Sequence, residues 1–256
     1  MTGLLQYLGR MGLGFVSQAG GMFLLFLSVL AYTFRPPYRV RLFFKQMEFV
    51  GVNSLLVVVL TALFSGMVIA FQSYRALSKF GGESLLGGLV ALSLVRELGP
   101  VLTSLMVTAR AGSAMAAELG TMRVTEQIDA LEVMAVNPVH YLVVPRFWAA
   151  VLMVPLLTVI ADVVGIAGGY LVGVILLKVD AGIFVKKMQE MVEWMDIASG
   201  LYKALVFGGL LSIIGCYKGY NAAGGAEGVG RATTEAVVMA SVSILVGDYI
   251  MTSLLF

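Results

Sequence analysis

The sequence contains few of the residues from which catalytic and metal sites are usually built. Its 256 residues include one cysteine, Cys216, and one histidine, His140. One cysteine excludes an internal disulfide and a cysteine-rich metal site, and one histidine excludes a site that needs two imidazoles from one chain. The sequence also lacks a GxSxG nucleophile motif, and no nucleophile–base pair can be identified in it. We therefore predict no metal site, no catalytic residues and no enzymatic activity.

Charged residues are scarce as well. They make up 12% of the chain, whereas a soluble domain carries roughly 25%. Hydrophobic residues account for 59% of the positions, and the mean hydropathy is +0.95. The net charge of +2 is too small to indicate a nucleic-acid partner. This composition predicts an integral membrane protein without a separate soluble domain.

Five apolar runs are long enough to cross a bilayer, because a helix needs ~20 apolar residues to span the hydrocarbon core. They cover residues 49–74, 84–109, 147–177, 197–217 and 236–256. A sixth run, 12–34, is diluted by glycines and by Ser17 and Gln18. The residues alone leave two alternatives open for this run: it crosses the membrane, or it lies in the membrane interface. Either way, the fold class is all-α.

A basic cluster before the first clear span indicates the orientation. It consists of Arg35, Arg39, Arg41 and Lys45, and such clusters lie on the cytoplasmic side of a membrane. The segment 110–146 is then also cytoplasmic, and the C-terminus lies outside. The side of the N-terminus depends on whether 12–34 crosses.

Several ionisable residues fall within the predicted spans, where a charge costs ~2.5–3.5 kcal/mol to insert. These are Arg96, Glu97, Asp162, Lys203 and Asp248. Arg96 and Glu97 point ~100° apart on a helix and cannot form a good mutual pair, so Lys203 and Asp248 are their candidate partners. The charges either line a cavity or form ion pairs between helices. Asp162 is the weakest case among them, because a short tilt of its helix could place it at a membrane interface.

The cytoplasmic segment between the second and third spans has helical periodicity. Its apolar residues Val124, Ile128, Leu131 and Ala135 fall at i, i+4, i+7 and i+11, on one face of a helix. The remaining positions are largely polar or acidic. This helix is too short and too polar to cross the membrane. It is either a solvated connector or a docking helix for a soluble partner.

A glycine-rich stretch, GAEGVGRAT at 225–233, nearly matches a phosphate-binding loop. Arg231 replaces the lysine, Ala232 replaces the magnesium-binding Ser or Thr, and the strand-then-helix context is missing. We predict that this stretch is a flexible cytoplasmic loop and binds no nucleotide.

Several strings resemble the MlaE family, the permease subunits of the Mla lipid-transport ABC system of Gram-negative bacteria. They are VALSLVRELGPVLTSLMVTARAGSAMAAELGTMRVTEQIDALEVMAVNP, PRFWAAVLMVPLLTV, GRATTEAVV and VGDYIMTSLLF. The resemblance covers residues 50–256. It implies one permease domain over 1–256, with an interfacial helix in 1–45 and a five-span bundle in 46–256. It also implies that the N-terminus is cytoplasmic, that the C-terminus is periplasmic, and that the protein lies in the bacterial inner membrane.

The resemblance further implies the partners and the activity. The chain would form a homodimer and bind a cytoplasmic ABC ATPase, which would hold the ATP and Mg²⁺, so that this chain needs no cofactor. A STAS-domain subunit would bind the ATPase, and a hexameric MCE-domain protein would cap the periplasmic side. The complex would move phospholipid between the inner membrane and that carrier and so maintain outer-membrane lipid asymmetry. An ion- or proton-coupled transporter that uses Glu97 and Asp248, and an intramembrane lipid enzyme, are the alternatives.

Site residues follow from the same resemblance. The positions expected near the lipid cavity are Leu77, Phe80, Arg96, Glu97, Trp148 and Lys203. The helix expected to dock on the ATPase corresponds to 118–134, with Glu118, Arg123, Glu126, Asp129 and Leu131 as its coupling residues. Asp248 is expected to be a structural charge within the membrane.

Overall fold

The computed structural model describes the backbone of residues 2–255 and the side chains of residues 13, 14 and 16–255. Within that range the chain forms helices and no strand, which confirms the all-α prediction. The helices are α1 (Thr2–Thr33), α2 (Val40–Val50), α3 (Leu55–Leu77), α4 (Leu86–Ser93), α5 (Gly99–Val107), α6 (Ser113–Val124), α7 (Gln127–Val133), α8 (Val144–Tyr170), α9 (Ala181–Met191), α10 (Trp194–Tyr220) and α11 (Gly225–Leu255).

Six helical stretches among the described residues are long and apolar enough to span a membrane. They are Val16–Thr33, Val40–Phe80, Glu83–Val124, Val139–Leu176, Trp194–Tyr220 and Gly225–Leu255. The last five contain most of each predicted span, so the chain is a multi-pass membrane protein. The first stretch is apolar enough to cross, and its assignment to the membrane interface stays a prediction. Its contacts with the bundle include an edge-to-face pair between the rings of Phe26 and Phe147.

Helices α4, α5 and α6 form one continuous rod with two π-helical turns, at Leu94–Leu98 and Thr108–Gly112. A π turn inserts one extra residue and rotates the side chains that follow it. Two further π turns, Val139–Val143 and Leu171–Leu176, flank α8. The first turn in the rod contains Arg96 and Glu97, so its geometry decides where these charges point.

The centre of the bundle is closely packed because small residues lie where helices cross. At the crossing of α3 and α8, a Cβ atom at Gly66 would lie 1.9 Å from the carbonyl oxygen of Gly165. Only glycine permits two backbones to approach this closely, which is a common packing device in lipid, where apolar burial between helices gains little. The main apolar core lies around α8 and includes Phe147, Leu157 and Leu211.

The predicted single helix over 118–134 is divided in two. Helix α6 ends at Val124, Glu126 has a left-handed backbone with φ of 58°, and α7 starts at Gln127. The turn brings Ile128 into the core, where it is completely buried. A straight helix would carry Ile128 away from the bundle, so burial of this side chain favours the break over helical continuity.

The predicted loop at 225–233 is wrong. Helix α11 already starts at Gly225, and the connection from α10 is confined to residues 221–224. Gly224 and Gly225 have φ of 94° and 68°, a conformation that glycine adopts without a steric cost. The chain reverses at these two residues, and the glycines that follow are part of a helix.

Candidate functional site

A cluster of ionisable side chains lies inside the bundle, between α10, α11 and the π turn at Leu94–Leu98. At its centre the Lys203 side chain is completely buried, with no exposed area. Its Nζ donates to Glu97 Oε2 at 2.5 Å, to Thr252 Oγ1 at 2.7 Å and to the Arg96 carbonyl oxygen at 3.1 Å. Asp248 Oδ1 lies 3.0 Å from the same nitrogen. The predicted link between Lys203, Glu97 and Asp248 is confirmed.

Lys203 has no donor left over. An ammonium group carries three N–H donors, and these are used by Glu97, Thr252 and the Arg96 carbonyl. Asp248 therefore interacts with Lys203 by charge attraction, and its Oδ1 has no hydrogen-bond partner among the described residues. The closed arrangement weighs against a direct contact between Lys203 and a ligand, and its predicted role in substrate binding stays a prediction.

Arg96 lies on the other side of the same turn and pairs with a residue that the sequence reasoning missed. Its Nε is 3.2 Å from Asp196 Oδ1, near the first turn of α10. Asp196 also accepts from the backbone of Glu193 as part of a capping box. One signal was available, because Asp196 and Lys203 are seven residues apart and lie on one face of a helix. The prediction that Arg96 and Glu97 have separate partners is confirmed.

The approach of α10 to the π turn depends on Gly200. A Cβ atom at this position would lie 2.2 Å from the carbonyl oxygen of Val95, far inside van der Waals contact. With glycine there, Lys203 comes within hydrogen-bond distance of the Arg96 backbone. On the open side of the cluster, the side chains of Glu97 and Arg96 remain 36% and 28% exposed. The Glu97 carboxylate and the Arg96 guanidinium are thus the partly exposed groups of the cluster.

Asp162, the least certain of the predicted intramembrane charges, packs against the end of the π turn. Its Oδ1 is buried, has no hydrogen-bond partner among the described residues, and would be 1.9 Å from a Cβ atom at Gly99. This places it inside the bundle, level with the end of the π turn. It lines a separate hollow of about 420 Å³ with Gln189 on α9 and Leu201 on α10.

The other residues predicted to lie near the cavity do not all lie close to one another within a single chain. Leu77 ends α3 and packs against the apolar cluster that includes Leu86 and Leu94, whereas Phe80 is 89% exposed. Trp148 lies 14 residues before Asp162 on α8, which is about 20 Å along the helix axis at the usual rise. Its indole N–H donates to Thr33 Oγ1 at 2.8 Å. Within a single chain Trp148 therefore belongs to the contact with α1.

The predicted coupling residues lie around the turn between α6 and α7. Arg123 Nη1 is 2.5 Å from Asp129 Oδ1, which ties the two helices together. Glu118 Oε2 is 2.6 Å from Arg146 Nη2 at the start of α8. Leu131 is half-buried against the core, and Glu126 is exposed in the turn.

Two apolar side chains at the end of α7 have no cover from the bundle. Val133 is 89% exposed and Met134 is 63% exposed. Together with Glu126 they form an exposed, partly apolar and acidic surface, which we call the α7 surface. A group of three His, Cys, Asp or Glu side chains that could hold a metal ion is not present among the described residues.

Comparison with known protein families identifies the family to which the chain belongs. The family model described as permease MlaE matches residues 43–254, from α2 to the last turn of α11. The chain belongs to the MlaE permease family. The match begins after α1, so it does not bear on the placement of that helix.

Named relatives agree with this membership. A Rickettsia felis protein named "Probable ABC transporter permease protein" is 46% identical over 97% of this chain and 96% of its own length. The Haemophilus influenzae protein named "Intermembrane phospholipid transport system permease protein MlaE" is 47% identical over 83% of this chain and 82% of its own. The chloroplast protein TRIGALACTOSYLDIACYLGLYCEROL 1 of Arabidopsis thaliana is 41% identical over 83% of this chain and 61% of its own.

Proposed function

We propose that this MlaE-family chain is the membrane-spanning subunit of an ABC transporter that moves phospholipid between the bacterial inner membrane and a periplasmic MCE-domain carrier. The observation that carries the proposal is the 47% identity to the Haemophilus protein, whose name states intermembrane phospholipid transport. The Rickettsia relative, named a probable ABC transporter permease, supports the ABC class. ATP hydrolysis then belongs to a partner subunit, and this chain contributes the path for the lipid.

The lipid path would lie beside the open side of the charge cluster. In a homodimer, Phe80 and the exposed edge of Arg96 and Glu97 would face a shared cavity, with apolar walls for the acyl chains. Arg96 is the better candidate to contact a lipid phosphate, because its guanidinium is partly exposed whereas the Lys203 ammonium is buried and fully used. The cluster would hold α10 and α11 against the rod α4–α6 while the subunits move.

The conformational change of the ATPase would be transmitted to this chain through the α7 surface. The exposed Val133 and Met134 offer an apolar contact to a soluble ATPase, and Glu126 adds a charge at its edge. The Arg123–Asp129 pair connects α7 to α6, and α6 continues through two π turns to Arg96 and Glu97. Motion of α7 would therefore act on the helix that carries these charges. A STAS-domain subunit on the ATPase and a periplasmic MCE hexamer complete the proposed complex.

The test is transfer of a fluorescent phospholipid by the purified complex in proteoliposomes. We expect transfer to the MCE-domain carrier to require this chain, the ATPase and ATP. The Arg96→Ala variant should reduce transfer and lipid co-purification, whereas Arg231→Ala, an exposed arginine on α11, serves as the matched control. Unchanged transfer and co-purification in Arg96→Ala would remove the assigned role of Arg96.

The same preparation separates the proposal from the alternatives. A proton-coupled transporter that uses Glu97 and Asp248 would move its substrate in response to a pH gradient without the ATPase. A lipid enzyme would change the mass of its substrate. Transport with the ATPase omitted, or a new lipid mass, would overturn the proposed function.

A further inference from the structure

We infer that a second lipid site lies at the cytoplasmic edge of the bundle, where a polar hollow fits the headgroup of an amine-bearing phospholipid. The hollow has a volume of about 330 Å³ and lies between α2, the middle of α6 and the start of α8. Its polar lining consists of Lys45, Gln46, Glu48, Asn53, Glu118 and Arg146. It is distinct from the Arg96–Glu97 site, because Arg146 lies 16 residues before Asp162 on α8, about 24 Å along the axis.

Two buried polar atoms of the lining have no partner among the described residues. Arg146 is 5% exposed and donates from Nη1 to the Leu142 carbonyl oxygen at 2.7 Å and from Nη2 to Glu118, but its Nε has no acceptor. The amide oxygen of Gln46 is likewise buried without a donor. Buried polar groups in folded proteins are almost always hydrogen-bonded. One unused donor and one unused acceptor therefore lie in the wall of this hollow, where rotation of either side chain would bring it to a polar molecule.

The size of the hollow indicates more than a single water. One water occupies ≈ 30 Å³ of liquid volume, so 330 Å³ exceeds that volume by about an order of magnitude. A phosphate with a short amine-bearing arm is compatible with this volume. The mixed lining supplies groups for both parts of such a headgroup.

Cations outnumber carboxylates around the hollow. Besides Lys45 and Arg146 in the lining, Arg39 stacks over the ring of Tyr141 at 4.0 Å, and Arg110 lies over the ring of Phe49 at 4.7 Å. Tyr141 and Phe49 both line the hollow. This excess favours a phosphate, since charge-assisted hydrogen bonds from cations are its strongest protein contacts.

The carboxylates Glu48 and Glu118 give the hollow its selectivity. Both are exposed and both line it. An ammonium group can donate to either of them while the phosphate lies near the exposed Lys45. A headgroup with both charges satisfies the lining, whereas a headgroup with only a phosphate leaves Glu48, which has no ion pair among the described residues, without a cation. We therefore assign a zwitterionic headgroup with a primary amine.

An exposed apolar strip continues from the hollow along α3, which favours a lipid over a free phosphate ester. Asn53, Leu56 and Leu60 follow at i, i+3 and i+7, on one face of the chain. Leu56 is 69% exposed and Leu60 is 45% exposed. Acyl chains attached to a headgroup at Asn53 would lie along this strip, within the membrane.

The inference rests on the proposed function for its orientation, which puts the basic cluster of α2 on the cytoplasmic side. The lipid would then come from the cytoplasmic leaflet and would contact the Glu118–Arg146 pair, close to the α7 surface. Its test is independent of transport.

The experiment is photolabelling of the intact complex in nanodiscs. The probe is a phosphatidylethanolamine with a photoactivatable diazirine next to the headgroup, present as a minor component of phosphatidylcholine. We expect labelled peptides from residues 42–53 and 141–146. The variant Lys45→Gln/Gln46→Leu should reduce this labelling at least about tenfold, because it removes a charged and a neutral hydrogen bond. The control is Arg41→Gln/Gln189→Leu, which likewise removes one cation and one amide side chain but outside the hollow, and it should label as the unmodified chain does.

Competitors separate the possible occupants. Unlabelled phosphatidylethanolamine should displace the probe, whereas phosphatidylglycerol, inorganic phosphate and glycerophosphoethanolamine should not. Equal displacement by phosphatidylglycerol would overturn the amine assignment, and displacement by the two soluble compounds would overturn the lipid assignment. Labelling equal in both double variants would overturn the site. Lipid transfer by the same complex reports separately on the proposed function, since a complex that transfers lipid but does not label at the hollow contradicts only this inference.

Discussion

Lys203 and Arg146 are both cations buried in the bundle, but only one of them has all its donors satisfied. Lys203 is in the membrane interior and uses its three N–H groups on Glu97, Thr252 and a backbone carbonyl. Arg146 is at the end of the bundle predicted to face the cytoplasm, keeps one N–H without an acceptor among the described residues, and lines an open hollow. A saturated cation holds helices together, whereas an unsaturated cation beside a cavity is available to another molecule. Substitutions at Lys203 and at Arg146 test this difference.

The largest effect is expected for Lys203→Met. This change leaves Glu97 and Asp248 as two partly buried carboxylates without their cation, and breaking a buried pair in this way costs about 3–5 kcal/mol. The apparent Tm of the purified protein, measured in a fixed detergent, should fall clearly. Lys186→Met is the control, because that side chain is 76% exposed and surface changes stay within about 0.5 kcal/mol.

A triple variant, Lys203→Met with Glu97→Gln and Asp248→Asn, distinguishes loss of charge balance from loss of packing. It removes all three charges and should recover much of the lost stability. If the triple variant is as unstable as Lys203→Met alone, then charge pairing is not what stabilises the cluster. Its contribution to stability must then come from the packing of its side chains.

A smaller effect is expected for Arg146→Met. Here the partner left behind is Glu118, whose side chain is 54% exposed and stays hydrated. The remaining cost comes mainly from the Leu142 carbonyl oxygen, which loses a hydrogen bond worth about 1–3 kcal/mol when it stays buried. The measurement is again the apparent Tm. The reverse change, Glu118→Ala, should cost more than Arg146→Met, because it leaves the buried cation without its carboxylate. Equal losses in the two variants would contradict the asymmetry between the two ends of this pair.

The intramembrane cluster could be predicted in part, because a charged side chain within a membrane span has to pair with another polar group or face water. Lys203 and Asp248 were identifiable as partners of Glu97 from their position in predicted spans alone. Asp196 was missed because it lies near the start of α10, where capping already accounts for an acidic residue. The π turn could not be predicted from the sequence either, because one inserted residue does not change the composition of an apolar run.

The segment 110–146, predicted to face the cytoplasm, was harder to predict, because its apolar and polar residues can be either buried against the bundle or exposed to water. The apolar spacing from Val124 to Ala135 continues through the break at Glu126, so periodicity alone indicated one helix. The break depends on burial of Ile128, which only the packed bundle reveals. In the same way, the glycines of 225–233 indicated a loop, although glycine is tolerated in membrane helices. The polar hollow joins residues far apart in the chain and gave no local signal.

The smallest effect on stability, with a clear effect on assembly, is expected for Glu126→Lys on the α7 surface. Glu126 is exposed and lies in the turn between α6 and α7, so the Tm of the isolated chain should not change measurably. Co-purification of the ATPase should fall about tenfold, which corresponds to ~1.4 kcal/mol of binding free energy. Val133→Asp should act in the same direction, because it places a charge in the most exposed apolar position of that surface.

Glu190→Lys is the matched control, since Glu190 is also exposed but lies on α9, on the other side of the predicted membrane. It should leave ATPase binding intact. Loss of the ATPase in Glu190→Lys as well would mean that the assay reports general charge and not the α7 surface. Full retention of the ATPase in both Glu126→Lys and Val133→Asp would place the docking surface elsewhere. The exposed apolar residues at the end of α7 would then have to be covered by a different molecule.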